Sequence, residues 1–358
     1  MLVDRARKLL TLATDSDASR DMARRAAQDS IDASRGADAS EVRTALELFG
    51  EAYSYPRTDK LPLALAVAGS LVERGADPTP LVTPVVEFLQ RVTPLAEDFH
   101  IACIAQFPFD ADDVDTAFRE AAVRLRSEMP EAAEAWEALE ALYVPVIAVL
   151  AASPVARARS QSITLKMDHL RTHNAGASWL LPMLMVLDGE PILAIEPDTG
   201  LGLVGRISGI SSNFQLHVLL MDIFPQSDVR SGRRISQKAG DIVRGRVADQ
   251  QDDAPLVGHW NLHAWTALQA TGGLPRDHHQ SSTDDWIWNE GVPAEIPVFH
   301  GYRVIVLGPA SYARSFFAQR DFRGLRADIE VEHLLSPDEV AAWVERFSRS
   351  SRDGQPER

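Results

Sequence analysis

The sequence predicts an α-helical N-terminal domain, either a bundle or an irregular solenoid, followed by an α+β C-terminal domain with a mostly antiparallel sheet. Three observations lead there. The chain has 358 residues, about twice the usual domain size. Residues 1–150 carry apolar positions at helical spacing between cap-type residues, with no convincing strand. Beyond residue 176 the pattern changes to short apolar runs separated by Asp-Gly, Thr-Gly and Gly-Pro turns. The expected organisation is a helical domain over 1–153, a junction over 154–176, an α+β domain over 177–348 and a disordered tail over 349–358.

Leu2, Leu9, Leu10 and Leu12 open the first predicted helix. Asp38 and Ser40 are cap-type residues before an apolar segment over 42–49. Thr58 and Asp59 precede a helix over 61–72, and Gly75 closes it. Thr79-Pro80 reads as an N-cap followed by Pro at the first helical position. Leu81, Val85, Phe88, Leu89 and Val92 then follow at helical spacing. A separate short helix is expected over 94–105. Helices over 110–129 and 131–150 complete the set, the last kinked at Pro145. No signature repeats at a period of about 34 to 45 residues, so no named repeat class is supported. Within the junction, 163–170 is expected as one amphipathic connecting helix.

In the second half, 179–187 is expected as a strand ending at the Asp188-Gly189 turn. Strands over 191–195 and 201–207, around a turn at Asp198-Thr199-Gly200, complete an antiparallel meander. Residues 214–224 are apolar and fit helix or strand equally. A surface helix is expected over 233–247, a mobile polar segment over 249–253 and a strand over 257–265. The clearest strand is 302–307, Tyr-Arg-Val-Ile-Val-Leu, whose nearly continuous apolar run suits a position covered on both faces. Trp286 and Trp288 would share one face of an extended segment and belong to the core. Gly308-Pro309 should stop the central strand, with a helix after it. A last strand is expected near 329–331. Ser336-Pro337-Asp338-Glu339 then starts a closing helix that buries Val340, Trp343, Val344 and Phe347.

Composition narrows the function classes. The chain is 45% hydrophobic and 24% charged, as in soluble globular proteins. No apolar run approaches roughly 18 residues, so no membrane-spanning helix is expected. The N-terminus is too short in its apolar centre, and too acidic after it, for a signal peptide. Cys103 is the one cysteine, so no internal disulfide forms and the cytoplasm is the default compartment. A net charge of −15 disfavours nucleic-acid binding. The acidity is uneven: 26 acids against 15 bases in residues 1–150 leave −11, and the remaining 25 against 21 leave −4. Solubility accounts for such a surface, and a basic protein partner on the N-terminal half is the sharper reading.

The motifs match no family signature. His259 and His263 lie four apart, as do His169 and His173, and His278-His279 fall in a polar loop. Imidazoles at such spacing can ligate zinc. The Glu of a zincin motif is missing, however, so His259 and His263 are weak metal candidates and no metal is expected. The acids from Asp110 to Asp115 lack the Gly and the distal Glu of a calcium loop. The candidate anion site is the turn Gly308-Pro309-Ala310-Ser311, with Arg314, Arg320 and Arg323 following. A strand, a Gly turn and a helix would aim backbone N–H groups at an anion. Glu290 and Glu295 in the loop beside Trp286 and Trp288 are paired carboxylates of the kind used in acid–base or sugar chemistry. Ser208, Ser211 and Ser212 lie outside a nucleophile-elbow frame. No cofactor is identified.

Without a catalytic signature, the acidic helical half points to a non-enzymatic interaction or adaptor protein. Its partner would be another protein, with a small-molecule ligand in the C-terminal domain as a further possibility. The alternative is an enzyme of unrecognised type, with Trp286, Trp288, His259, His263, Glu290 and Arg314 lining a C-terminal cleft. Convergence of those side chains favours the enzyme, and scattering favours the interaction protein.

Overall fold

The computed structural model describes residues 1–55, 59–106, 113–224, 235–268, 274, 285–310 and 313–350. The chain divides into two compact units, Met1–Met185 and Val186–Arg358.

The first unit is helical: α1 (Leu2–Thr14), α2 (Arg20–Ser34), α3 (Ala39–Glu51), α4 (Leu61–Glu73), α5 (Thr79–Ile104), α6 (Val114–Leu125), α7 (Pro130–Ala152), α8 (Pro154–Ser160), α9 (Thr164–Leu170) and α10 (Ala175–Leu184). Ser19, Asp38, Asp113, Ser153 and Asn174 each accept a backbone N–H of the following first turn. Such caps satisfy donors that a helix start leaves free. Helix α7 forms the centre, packed on α4, α5 and α10. Its Ala135, Leu139, Leu142, Val146 and Val149 are buried. Helix α10 approaches it so closely that a Cβ at position 176 would lie 2.2 Å from the Leu139 carbonyl oxygen, which explains Gly176.

Several expectations change here. Helix α5 is continuous, with Pro84 and Pro94 inside it. An internal Pro costs about 3 kcal/mol. The buried row Leu81, Val85, Phe88, Leu89, Val92 and Phe99 outweighs this, at about 1.5–3 kcal/mol per side chain. Helix α2 has no counterpart in the sequence reading, because its buried face is only Ala23, Ala26 and Ser30. The segment 154–176 is no linker: α8 and α9 pack on α5, and α10 packs on α7. Arg157, 2% exposed, donates to the carbonyls of Leu150 and Ala151 and so caps the end of α7. The run 179–187 is split, with Trp179 to Leu184 in α10 under the Asn174 cap and Leu187 opening a strand. By length and composition α7 is apolar enough to cross a membrane, which corrects the expectation that no stretch qualifies. Its apolar window is 61% buried inside the unit, as in the core helix of a soluble protein.

The second unit contains β1 (Leu187–Glu196), β2 (Leu201–Ile210), α11 (Asn213–Ile223), α12 (Gln237–Val243), β3 (Gln251–Val257), β4 (Trp260–His263), β5 (Val298–Phe299), β6 (Tyr302–Pro309), β7 (Ser315–Gln319), β8 (Asp328–Leu335) and α13 (Pro337–Ser350). The main sheet runs β4-β6-β1-β2-β8, with β5 also on β6. The β1–β6 pair is parallel and the other pairs are antiparallel. Strands β3 and β7 form a separate antiparallel pair. The clearest predicted strand is central, as its apolar run requires. Successive residues point to opposite faces. Ile192, Ala194, Ile305 and Leu307 face the core under α11 and α12. Leu193, Ile195, Val304 and Val306 face the core that holds Val340 and Phe347 of α13. Ser336 and Glu339 form the reciprocal cap expected at the start of α13.

Here too the sequence reading is corrected. Asp188-Gly189 lies at a register shift inside β1, and the hairpin turn is the one at Asp198-Thr199-Gly200. Residues 251–253 belong to β3, not to a mobile segment, and 257–265 is divided between β3 and β4. The helix expected over 233–247 is confined, among the described residues, to α12. Strand β6 runs through Gly308 to Pro309, and β7 follows instead of a helix. Trp286 makes one isolated bridge with His263, and Trp288 is 54% exposed, so the two do not form a core strand. Helix α13 continues to Ser350, past the expected start of the tail at 349.

Candidate functional site

The helical unit holds a groove of about 380 Å³. That lies within the range of small ligand pockets, roughly 300–1,000 Å³. Its walls are Tyr53, Leu61, Phe88, Val92, Leu95 and Leu142. The helical period builds it. Phe88, Val92 and Leu95 recur at four and three residues on α5, and Glu131, Glu134, Ala138 and Leu142 do so on α7. The exposed side chains Arg91, Glu131 and Glu134 line it as well and form its polar rim. Tyr53 lies in the groove wall, 4% exposed, its ring 5.5 Å from that of Phe88. Its hydroxyl is buried and makes no hydrogen bond. Burial raises its pKa far above the ordinary phenol value, so it is a neutral donor. The Tyr53 carbonyl is fixed by Arg91 Nη2 at 2.7 Å. Sequence reasoning missed this groove, although Phe88 and Val92 were placed on one helical face.

The residues singled out in the sequence lie elsewhere. Arg320 is 5% exposed and acts as a clamp. It donates to the carbonyls of Arg323 at 2.6 Å and Val247 at 2.7 Å, with longer bonds to Ala248 and Asp249. Desolvation, with Arg326 and Arg323 nearby, lowers its pKa. These bonds satisfy the backbone of an irregular segment. Arg314 is half-buried, and its carbonyl accepts the Gly258 N–H at 2.9 Å. With a strand after the turn, no helix N-terminus directly follows it among the described residues. Ser311 lies outside the described residues. Glu290 is exposed, and Glu295 is spent on the Val292 N–H at 3.2 Å. His263 is 1% exposed against the Trp286 ring at 4.4 Å, and burial lowers its pKa to about 4. Of the proposed cleft residues, His263 lies against Trp286, and His259 and Arg314 both stand near His217, a residue the sequence reading did not select.

No protein-family model, no curated protein and no solved structure matches the chain. Function is therefore read from side chains and their geometry.

Two histidine sets complete the inventory. In the helical unit, His169 Nδ1 and Glu97 Oε1 are 2.9 Å apart, and Lys166 pairs with the same carboxylate. His100 Nε2 and His173 Nδ1 are also 2.9 Å apart, with Trp136 stacked on His100 and Phe118 on His173. These contacts fasten the chain around α9 to α5. The signal in the sequence was the helical spacing of Glu97 with His100 and of Lys166, His169 and His173. In the second unit His217 on α11 is fully buried between Trp260 and Phe316. Among the described residues no group of three His, Cys, Asp or Glu could hold a metal ion. His278-His279 and Asp110 to Asp112 lie outside the described residues.

Proposed function

We propose that this chain is a non-enzymatic interaction protein whose helical unit captures a basic, amphipathic helical segment of another protein in the Tyr53 groove. The observation that carries this is the composition of the groove: an apolar wall of about 380 Å³ beside the carboxylates of Glu131 and Glu134. An amphipathic helix buries its apolar face in such a groove, and its Lys or Arg residues then meet the carboxylates. The charge of −11 over residues 1–150 favours the encounter with a basic partner. The proposed setting is the cytoplasm, which suits a single, fully buried Cys103.

Fluorescence anisotropy with two synthetic helical peptides tests the proposal, one of lysine and leucine and one of glutamate and leucine in the same pattern. The basic peptide should bind, more weakly as salt increases, and the acidic one should not. The double substitution Glu131→Lys and Glu134→Lys should weaken binding of the basic peptide about tenfold or more. Equal affinity for both peptides, or unchanged affinity in the double variant, would remove the groove from consideration.

A further inference from the structure

We propose that a cleft in the helical unit binds an apolar amino acid as its zwitterion, with the carboxylate at Arg74 and the ammonium at Asp77. This cleft is separate from the Tyr53 groove, shares no lining residue with it and does not depend on it. It opens between the end of α2, α3 and the end of α4, with a volume of about 490 Å³, which is in the range of small ligand pockets. The helical period builds its floor: Val42 and Leu46 lie one turn apart on α3, and Leu71 comes from α4. Leu46 and Leu71 are buried and Val42 is half-buried, so apolar surface remains for a ligand to cover. Gly75, at φ 98°, turns the chain sharply after α4, and Arg74 and Asp77 on either side of that turn both line the cleft.

The charged groups of the cleft differ in how far they are already occupied. Arg43 also lines it, and its Nε pairs with Glu47 at 3.1 Å. Arg74 makes no ion pair among the described residues. Its one side-chain hydrogen bond among them runs from Nη1 to Ser34 Oγ at 3.4 Å, a long bond that leaves the other guanidinium donors unused. Asp77 accepts the Thr79 N–H at 3.0 Å and the Thr79 hydroxyl at 2.6 Å, both on Oδ1. Its Oδ2 accepts no hydrogen bond among the described residues. The Thr79 hydroxyl, then the Thr79 N–H, with Arg43 adding to them, hold the Asp77 carboxyl below its ordinary range, so it is a carboxylate at neutral pH.

The ligand class follows from what these groups lack. The rim offers an unpaired cation and a half-used anion, three residues apart in the chain, beside an apolar floor. A guanidinium takes a carboxylate through parallel N–H bonds, and a free carboxylate oxygen takes an ammonium. An amino acid carries both groups on one carbon, with a side chain to lay over Val42, Leu46 and Leu71. A simple acid would leave Asp77 unmatched, and a simple amine would leave Arg74 unmatched. The charge of −11 over residues 1–150 also repels an anion, which a zwitterion avoids.

The test is calorimetric titration of the full chain with leucine. Three controls each remove one part of it: isocaproate lacks the ammonium, isopentylamine lacks the carboxylate and glycine lacks the side chain. Leucine should bind saturably, and each control should bind about fivefold or more weakly, the scale of charge pairs at an open rim. Arg74→Gln should abolish the advantage of leucine over isopentylamine. Asp77→Asn should abolish its advantage over isocaproate, while Asn keeps an acceptor for Thr79 at the start of α5. Both variants should melt with the wild type, because the two side chains are exposed. Three outcomes overturn the proposal: no saturable binding of leucine, a control that binds as tightly as leucine, or undiminished leucine binding in either variant.

Discussion

Lowering the pH from 7 to 5 should weaken the C-terminal unit by on the order of 4 kcal/mol, through His217 and His263 together. Both side chains are buried, 0% and 1% exposed. Desolvation, the largest cause at each, lowers their pKa values to about 3 and about 4. An unfolded histidine titrates near 6.5. The folded pKa lies below the unfolded one, so between those values the unfolded state binds more protons. Stability is therefore full above pH 6.5 or so and declines as pH falls toward the folded values. From pH 6.5 to 5 each histidine contributes about 1.5 pH units at 1.36 kcal/mol, or about 2 kcal/mol. Urea unfolding of the full chain at pH 7 and pH 5, followed by tryptophan fluorescence and far-UV circular dichroism, measures the loss. His217→Phe should remove about half of it and be at least as stable as wild type at pH 7, since it deletes unpaired buried nitrogens. His100, also lowered by desolvation first, acts in the same window, so the wild-type difference is not a sufficient test and the variant is needed. The reasoning fails if His217→Phe loses as much stability between pH 7 and 5 as wild type does.

Three further outcomes follow from particular contacts. Gly176→Ala should destabilise the helical unit by about 3 kcal/mol, because the added Cβ meets backbone at 2.2 Å rather than a side chain that can move; a urea melt within 0.5 kcal/mol or so of wild type would contradict this. Arg320→Lys keeps the charge but loses the fork that holds the carbonyls of residues 323 and 247, at a loss of about 1–3 kcal/mol. Amide hydrogen exchange over 247–249 should accelerate in that variant, and unchanged protection there would contradict the clamp. Asp38→Ala should lower the stability of the helical unit by about 1 kcal/mol, because Asp38 Oδ1 accepts the Glu41 N–H at 2.9 Å, and an unchanged thermal melt would show that cap to be idle.

The sequence made some of this architecture legible because local chemistry and tertiary packing agree there. The central strand at 302–307 and the cap at Ser336 are examples. The fold departs from the sequence reading where packing overrides propensity. Pro94 should break a helix, yet the burial of α5 along its length carries the chain through it. Over 179–187 a short apolar run has no decisive period, and the Asn174 cap settles its first part as helix. The candidate sites were less legible. Charge and loop context drew attention to Arg320 and Glu290, but a buried Arg bound to carbonyls and a surface Arg read alike in a sequence. The Tyr53 groove joins residues from the turn after α3, from α4, from α5 and from α7, and no spacing rule connects 53 with 142.

The central claim is that the Tyr53 groove receives a basic amphipathic helix. Its most direct measurement uses the lysine–leucine peptide carrying a photoreactive residue on its apolar face, crosslinked to the full chain and mapped by mass spectrometry. The account predicts crosslinks at groove positions such as Tyr53, Phe88, Val92 and Leu142, lost in the Glu131→Lys and Glu134→Lys double variant. Crosslinks distributed over other acidic surfaces, or retained in the double variant, would contradict it.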